Sequence, residues 1–336
     1  MVDRGNRQKT ALITGLSGQD GHYLSRLLVR AGVAVHGVLG PSNTPHRFRA
    51  EVGITPHTTK LDDRTAVHEL VAAVAPDFVF HLAGLSSVAG SWTHPVETVE
   101  LNAVSTTTLL DACLRVQDRL GRNIVVVNAS SAEIFAGSED SPQNESTPIN
   151  PTSPYGASKA LGHMMCHIYR TKGLQTCNAI LYNHESPLRS PRFVTRKITM
   201  GVAAIARGDT DAISLGNLAA RRDWGWAPDY VEAMYRMATH GVGDDFVIAT
   251  GVSHSISDFV QAAFAAAGMY DWQERVRTDT DLLRVVERAD MVGDPSHAAR
   301  VLDWRPSTTF NEIVTQMVEY DLRSAGVREP ALQGEQ

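Results

Sequence analysis

The chain has 336 residues, 43% hydrophobic and 20% charged, enough apolar material for one large α/β unit or two associated domains. A formal net charge of -6 with no long basic run argues against a nucleic-acid partner. The polar start Met1–Thr10 excludes a signal peptide, no apolar stretch is long enough for a bilayer, and Cys113, Cys166 and Cys177 lack metal-ligand spacing. The expectation is a cytoplasmic protein with buried thiols and no membrane partner.

Short apolar runs alternate with segments of helical period, the pattern of βαβ units around a parallel sheet covered on both faces. Thr10–Thr14 is predicted as the first strand, Gly21–Ala31 as the helix after it and Ala34–Leu39 as the second strand. Thr65–Val74 and Val96–Leu114 are expected helices, and Phe78–Leu82 and Ile124–Asn128 later strands. Gly137–Pro151, with its Pro, Ser and Asn, reads as a loop, and Pro154 opens a helix running to about Lys172. Beyond Ala179 the pattern is interrupted by Pro187, Pro191 and Pro228, with Phe246–Ala249 expected to return to the sheet. From Arg328 onward the chain reads as a frayed tail.

Gly15-Leu-Ser-Gly18-Gln-Asp-Gly21 joins the first strand to the first helix. A tight turn, close approach of backbone to a pyrophosphate, and phosphate-binding N–H groups at a helix start all call for glycine there. The spacing is GxxGxxG, and its strand–turn–helix setting points to a dinucleotide. The second strand ends at Leu39-Gly40-Pro41-Ser42, with neither the acid that reads the ribose of NAD nor the base that reads NADP. Arg47 and Arg49 follow, as partners of a 2′-phosphate or as solvated loop charges.

Tyr155-Gly-Ala-Ser-Lys159 places a phenol and an ammonium four residues apart, on one helix face. The cation is expected to stabilise the phenolate, so that Tyr155 removes a hydroxyl proton while a hydride leaves the same carbon. Upstream, Asn128-Ala-Ser-Ser131 ends a strand, and Glu133 follows just past the carboxyl end, where it is expected to face the ligand crevice and exchange protons.

The glycine loop, the serine-rich strand end and the Tyr–Lys pair together resemble the extended short-chain dehydrogenase/reductase superfamily across the whole chain. Five segments sharpen the likeness: Gly18-Gln-Asp-Gly21, Asn183-His-Glu-Ser-Pro187, Phe193-Val-Thr-Arg-Lys-Ile198, Gly216-Asn-Leu-Ala-Ala-Arg-Arg-Asp-Trp-Gly225 and Ala227-Pro-Asp-Tyr-Val231. They resemble the signatures of the GDP-mannose 4,6-dehydratase family. The resemblance implies an α/β Rossmann-type doubly wound parallel sheet with a smaller C-terminal substrate-binding lobe. Residues 1–180 are then the dinucleotide-binding domain, 181–327 mainly the substrate lobe with some segments returning to the first domain, and 328–336 the tail.

On the same resemblance Ser131, Glu133, Tyr155 and Lys159 are catalytic. Gly15, Ser17, Gly18, Gln19, Asp20, Gly21, Leu61, Leu82, Ala83, Tyr155, Lys159 and His184 bind NADP, with NAD open as an alternative. Ser86, Asn183, Val194, Lys197, Arg222, Arg284 and Glu287 contact a GDP-sugar, and no metal is implied. The family is expected to act as a homodimer or homotetramer. The chain departs from its pattern at Gly40-Pro41, Lys60, Leu85-Ser-Ser87, Ala132 and Arg284-Val285.

The implied reaction converts a GDP-hexose, GDP-D-mannose foremost, to a 4-keto-6-deoxy sugar by an internal hydride cycle with loss of water. An NAD(P)-dependent GDP-sugar epimerase and a 4-keto-sugar-nucleotide reductase would use the same Tyr–Lys pair. A non-catalytic Rossmann protein would bind the dinucleotide without turnover.

Overall fold

The computed structural model describes residues 7–40, 52–279 and 290–324. They divide into two compact units. The first runs through His184 and adds Asp223–Ser253 and Asp290–Ser307; the second comprises Glu185–Arg222, 254–279 and 308–324.

In the first unit the chain forms β1 (Thr10–Thr14), α1 (Gln19–Arg30), β2 (Ala34–Val38), β3 (Ile54–His57), α2 (Arg64–Val74), β4 (Phe78–His81), α3 (Val88–Thr93), α4 (Pro95–Val99), α5 (Ser105–Leu120), β5 (Val125–Ser131), α6 (Pro154–Arg170) and β6 (Gln175–Leu181). Next come β7 (Asn183–Glu185), α7 (Val194–Ala206), β8 (Ile213–Leu215), β9 (Arg221–Trp226), α8 (Ala227–His240) and β10 (Asp245–Ile248). The remaining elements are β11 (Ser253–Ser255), α9 (Ile256–Ala266), α10 (Trp272–Arg275), β12 (Val276–Thr278), α11 (Ser296–Val301) and α12 (Phe310–Ser324).

Seven parallel strands form the sheet of the first unit, in the order β10-β6-β5-β4-β1-β2-β3. Leu12, Ile13, Val79, Phe80, Val126 and Val127 are almost wholly buried in it, each worth about 1.5–3 kcal/mol of transfer free energy. Helix α1 covers one face with Leu24, Ser25 and Leu28, the stripe that a 3.6-residue period sets against the sheet. The expected doubly wound α/β fold is present.

The order of strands reverses at β1, with β2 and β3 laid on one side and β4 on the other. The carboxyl ends of β1 and β4 flank this switch point, which is where an open α/β sheet makes its ligand crevice. Register brings Thr14, His81 and Asn128 level across β1, β4 and β5.

Several boundaries differ from those read in the sequence. β5 runs to Ser131, not Asn128, because Ala129, Ser130 and Ser131 keep pairing with Ala179, Ile180 and Leu181 of β6. The expected helix Val96–Leu114 is broken by a π-helical turn at Glu100–Val104 before α5 begins. α6 stops at Arg170.

In the second unit β8 and β12 pair in parallel, and α12 packs against α7 and α9. Arg196 of α7 and Asp321 of α12 form a buried ion pair, with Arg196 also donating to Pro187 O at 3.0 Å and Thr199 Oγ1 at 3.1 Å.

Candidate active site

The glycine loop is built as its sequence demands. Gly15 has φ +77, and a Cβ there would lie 2.9 Å from the backbone nitrogen of Ala83, so only glycine lets the loops after β1 and β4 meet. Gly18 N donates to Gly15 O at 3.0 Å and caps α1 without a side-chain hydrogen bond. Leu82 N donates to Thr14 O and Ala83 N to Thr14 Oγ1, both at 3.2 Å, which ties the β4 loop to the end of β1. Ser17 is half-buried in the glycine loop, and Leu61 packs against the apolar layer that contains Val38.

Asp20, in the first turn of α1, reaches His184: its carboxylate oxygens lie 3.1 and 3.0 Å from His184 Nε2. His184 Nδ1 is 2.8 Å from Tyr182 O, so the ring spans a backbone carbonyl on one side and the Asp20 carboxylate on the other. Gln19 Nε2 donates to His184 O at 3.1 Å, and the imidazole stacks 4.8 Å from the Tyr230 ring.

Helix α6 carries the proposed proton acceptor. Ser153 caps it by accepting from Gly156 N at 3.0 Å, and Pro154 occupies its first position, where no N–H is needed. Tyr155 is buried to 8% exposure. Lys159 Nζ lies 6.0 Å from the centre of its ring and donates to Ala129 O at 2.8 Å. Burial pushes the Lys159 ammonium down to about 8, against the upward pull of the Asp20 carboxylate. Ser131 Oγ accepts from Glu133 N at 3.2 Å, turning the chain from β5 into the short helical turn Ala132–Phe135.

The first unit thus brings together the glycine loop, Ala83, Asp20, His184, Tyr155 and Lys159, with Ser131 and Glu133 at the end of the adjacent strand. Ser86 is exposed in the loop after β4, and Asn183 opens β7. In the second unit Val194 is the first residue of α7, and Lys197 is exposed within its first turn. Arg222 lies on β9, half-buried, with Nη1 donating to Arg221 O at 2.6 Å. Arg284, Val285 and Glu287, like Pro41, Ser42, Arg47, Arg49 and the tail 328–336, lie outside the described residues.

Two site residues escape a reading of the sequence. Asn102, in the π-helical turn, accepts from Leu85 N at 2.8 Å and donates to Leu85 O and Ser158 Oγ, both at 3.0 Å. It fastens the loop after β4 to α6; a Cβ on Gly84 of that loop would lie 3.7 Å from Lys159 Nζ. An amide inside an otherwise apolar helical stripe is its only trace in the sequence. His81 is buried with Nδ1 2.8 Å from Thr14 Oγ1 and no protein partner at Nε2 among the described residues, and burial pushes it down to about 3.

The GDP-mannose 4,6 dehydratase family model matches residues 12–317. GDP-mannose 4,6 dehydratase 1 of Arabidopsis thaliana is 38% identical over 330 residues, covering 95% of this chain and 91% of the relative. GDP-mannose 4,6 dehydratase of Cricetulus griseus is 36% identical over 348 residues, covering 95% and 93%. Among solved structures, the Thermus thermophilus UDP-glucose 4-epimerase complex with NAD superposes with a TM-score of 0.80 at 24% identity, over 93% of this chain and 97% of that one, a likeness of fold. Matched along nearly its whole length by family model and relatives alike, the chain belongs to the GDP-mannose 4,6-dehydratase family.

Proposed function

We propose that this chain is an NAD(P)-dependent nucleotide-sugar lyase that converts GDP-D-mannose to its 4-keto-6-deoxy derivative and water. The observation that carries the reading is Glu133, a carboxylate in the turn directly after Ser131, beside the helix of Tyr155 and Lys159. Dehydration needs an acid–base group of this kind in addition to the Tyr–Lys pair.

The glycine cradle that a Cβ would fill suits a dinucleotide pyrophosphate. Gly15, Ser17, Gly18, Gln19, Asp20, Gly21, Leu61, Leu82, Ala83, Tyr155, Lys159 and His184 would hold it. NADP is the form we assign, since β2 leads into Leu39-Gly40 without the carboxylate that pairs with an unmodified ribose. A bound nicotinamide supplies reversible hydride storage.

The chain's own groups move the protons. Tyr155, its phenolate favoured by Lys159, takes the proton of the sugar 4-hydroxyl as carbon 4 is oxidised, and Ser131 donates to the same oxygen. The 4-ketone acidifies carbon 5; Glu133 removes that proton and delivers one to the hydroxyl departing from carbon 6. Ala132 has no ionisable group, so Glu133 serves both transfers. Ser86, Asn183, Val194, Lys197, Arg222, Arg284 and Glu287 would hold the nucleotide sugar, the cations suiting its diphosphate.

Exposed Leu161, Met164 and Ile168 on α6 support assembly as a homodimer or homotetramer. Three buried, unpaired cysteines support residence in the reducing cytoplasm. No helix among the described residues is long and apolar enough to cross a membrane.

Incubation with GDP-mannose tests the function. The expected product is one water lighter than the substrate, formed without net consumption of reduced cofactor. A product of unchanged mass would replace the reading with an epimerase, and stoichiometric oxidation of NADPH would replace it with a reductase.

A further inference from the structure

We propose that His163, bridging Ser130 and Asp245, is a positioning residue that fixes the helix of Tyr155 and Lys159 against the strand of Ser131. The proposal rests on the function above, in which that helix and that strand act on one sugar ring.

His163 stands on α6 one turn beyond Lys159 and two beyond Tyr155, a spacing that keeps all three near one helix face. It is 9% exposed. Nδ1 lies 3.2 Å from Ser130 Oγ, and Nε2 lies 3.5 Å from Asp245 Oδ2. The carboxylate facing Nε2 calls for a donor there, and Nδ1 shares a hydrogen bond with the Ser130 hydroxyl, which can act as donor or acceptor.

Ser130 is buried between Ala129, whose carbonyl receives Lys159, and Ser131. Two consecutive residues of β5 thus anchor α6, one through its backbone and one through its side chain. Asp245, on β10, is itself held: Arg170 Nη2 donates to Oδ1 at 2.6 Å and Asn178 Nδ2 at 2.9 Å. Asn178 also donates to His163 O at 3.2 Å and accepts from Asn128 Nδ2 at 2.9 Å. The network joins α6, β5, β6 and β10.

Apolar packing alone would bury this layer, but it is non-directional and tolerates small slides. Hydrogen bonds weaken steeply with misalignment, and a buried network is stable only when fully satisfied, so it defines one register. Hydride and proton transfer are the steps most sensitive to such a register.

The test compares wild type with His163→Phe, His163→Gln and Ser130→Ala. For each, the rate of hydride transfer is read from nicotinamide absorbance after mixing with GDP-mannose, alongside GDP-mannose affinity and melting temperature. His163→Phe and Ser130→Ala are expected to slow hydride transfer at least roughly tenfold while leaving affinity within about twofold. Glutamine, able to accept from Ser130 and donate to Asp245, is expected to restore the rate to within about threefold. A folded His163→Phe with the wild-type rate, or a glutamine variant as slow as phenylalanine, overturns the proposal. Should His163→Phe fail to fold, Ser130→Ala decides: a slowed rate supports the register and an unchanged rate overturns it. Product mass is read separately. An unchanged mass would fail the dehydratase reading and leave the comparison intact, since an epimerase makes the same first transfer.

Discussion

Gly156 approaches Glu133 so closely that a Cβ on it would stand 2.7 Å from the Glu133 carbonyl oxygen. The glycine between Tyr155 and the rest of α6 therefore sets how near the helix comes to the turn after β5. Backbone meets backbone here, so a side chain cannot be accommodated by a change of rotamer. Gly156→Ala is expected to push the helix away from the turn and lower kcat by roughly ten- to a hundredfold. Steady-state kinetics beside a melting curve check this; a variant with wild-type kcat would show that the close approach is dispensable.

The role proposed for the Lys159 cation runs against stability. Its folded value of about 8 lies below its ordinary 10.5, so the stabilisation that depends on the neutral amine is present above 10.5 and is lost as pH falls through 8. At neutral pH the desolvated ammonium costs stability. Lys159→Met is expected to raise stability at pH 7 by about 1 kcal/mol, measured by urea unfolding, while abolishing turnover. In the wild type, turnover is expected to decline as pH rises past about 8 and the cation is lost. A less stable Lys159→Met would contradict the account.

His81 contributes to acid sensitivity. Its folded value of about 3 lies below its ordinary 6.5, so its stabilising contribution is complete above 6.5 and is lost as pH falls toward 3. His36 and His57, 3.0 Å apart across β2 and β3, are lowered by burial and act in the same direction. Between pH 6 and 4, stability of His81→Asn is expected to fall less steeply than that of wild type, by up to about 1.4 kcal/mol per pH unit. Equal slopes in urea titrations across that range would contradict it.

In the second unit, Asp321→Ala would leave the Arg196 guanidinium buried without its carboxylate. The expected loss is about 3–5 kcal/mol, seen as a lower urea midpoint. A loss of under about 1 kcal/mol, as at an exposed pair, would show that water reaches the site.

The first βα unit and the Tyr155–Lys159 pair were legible in the sequence because each depends on local chemistry: a glycine turn between strand and helix, and a four-residue spacing along one helix. The last residues of β5 were legible only in part, since Ser130 and Ser131 carry polar side chains whose place within the strand shows only once β6 pairs with them. His163 and Asp245 lie 82 residues apart and meet only across the folded sheet. Asn102 owes its reach to a π-helical turn that hydrophobic period does not register. Of the residues assigned to the nucleotide sugar, Lys197 and Arg222 came from family likeness, because a solvated cation and a diphosphate ligand are the same residue in a sequence.

In the proposed reaction one hydride leaves carbon 4 and returns to carbon 6 of the same sugar while Tyr155 and Glu133 move the protons. GDP-mannose deuterated at carbon 4, turned over by the purified protein and read by mass spectrometry and NMR, tests it directly. The expected product is a 4-keto-6-deoxy sugar nucleotide with deuterium at carbon 6. A 4-keto-6-deoxy product without deuterium there, or a product that has lost no water, would contradict it.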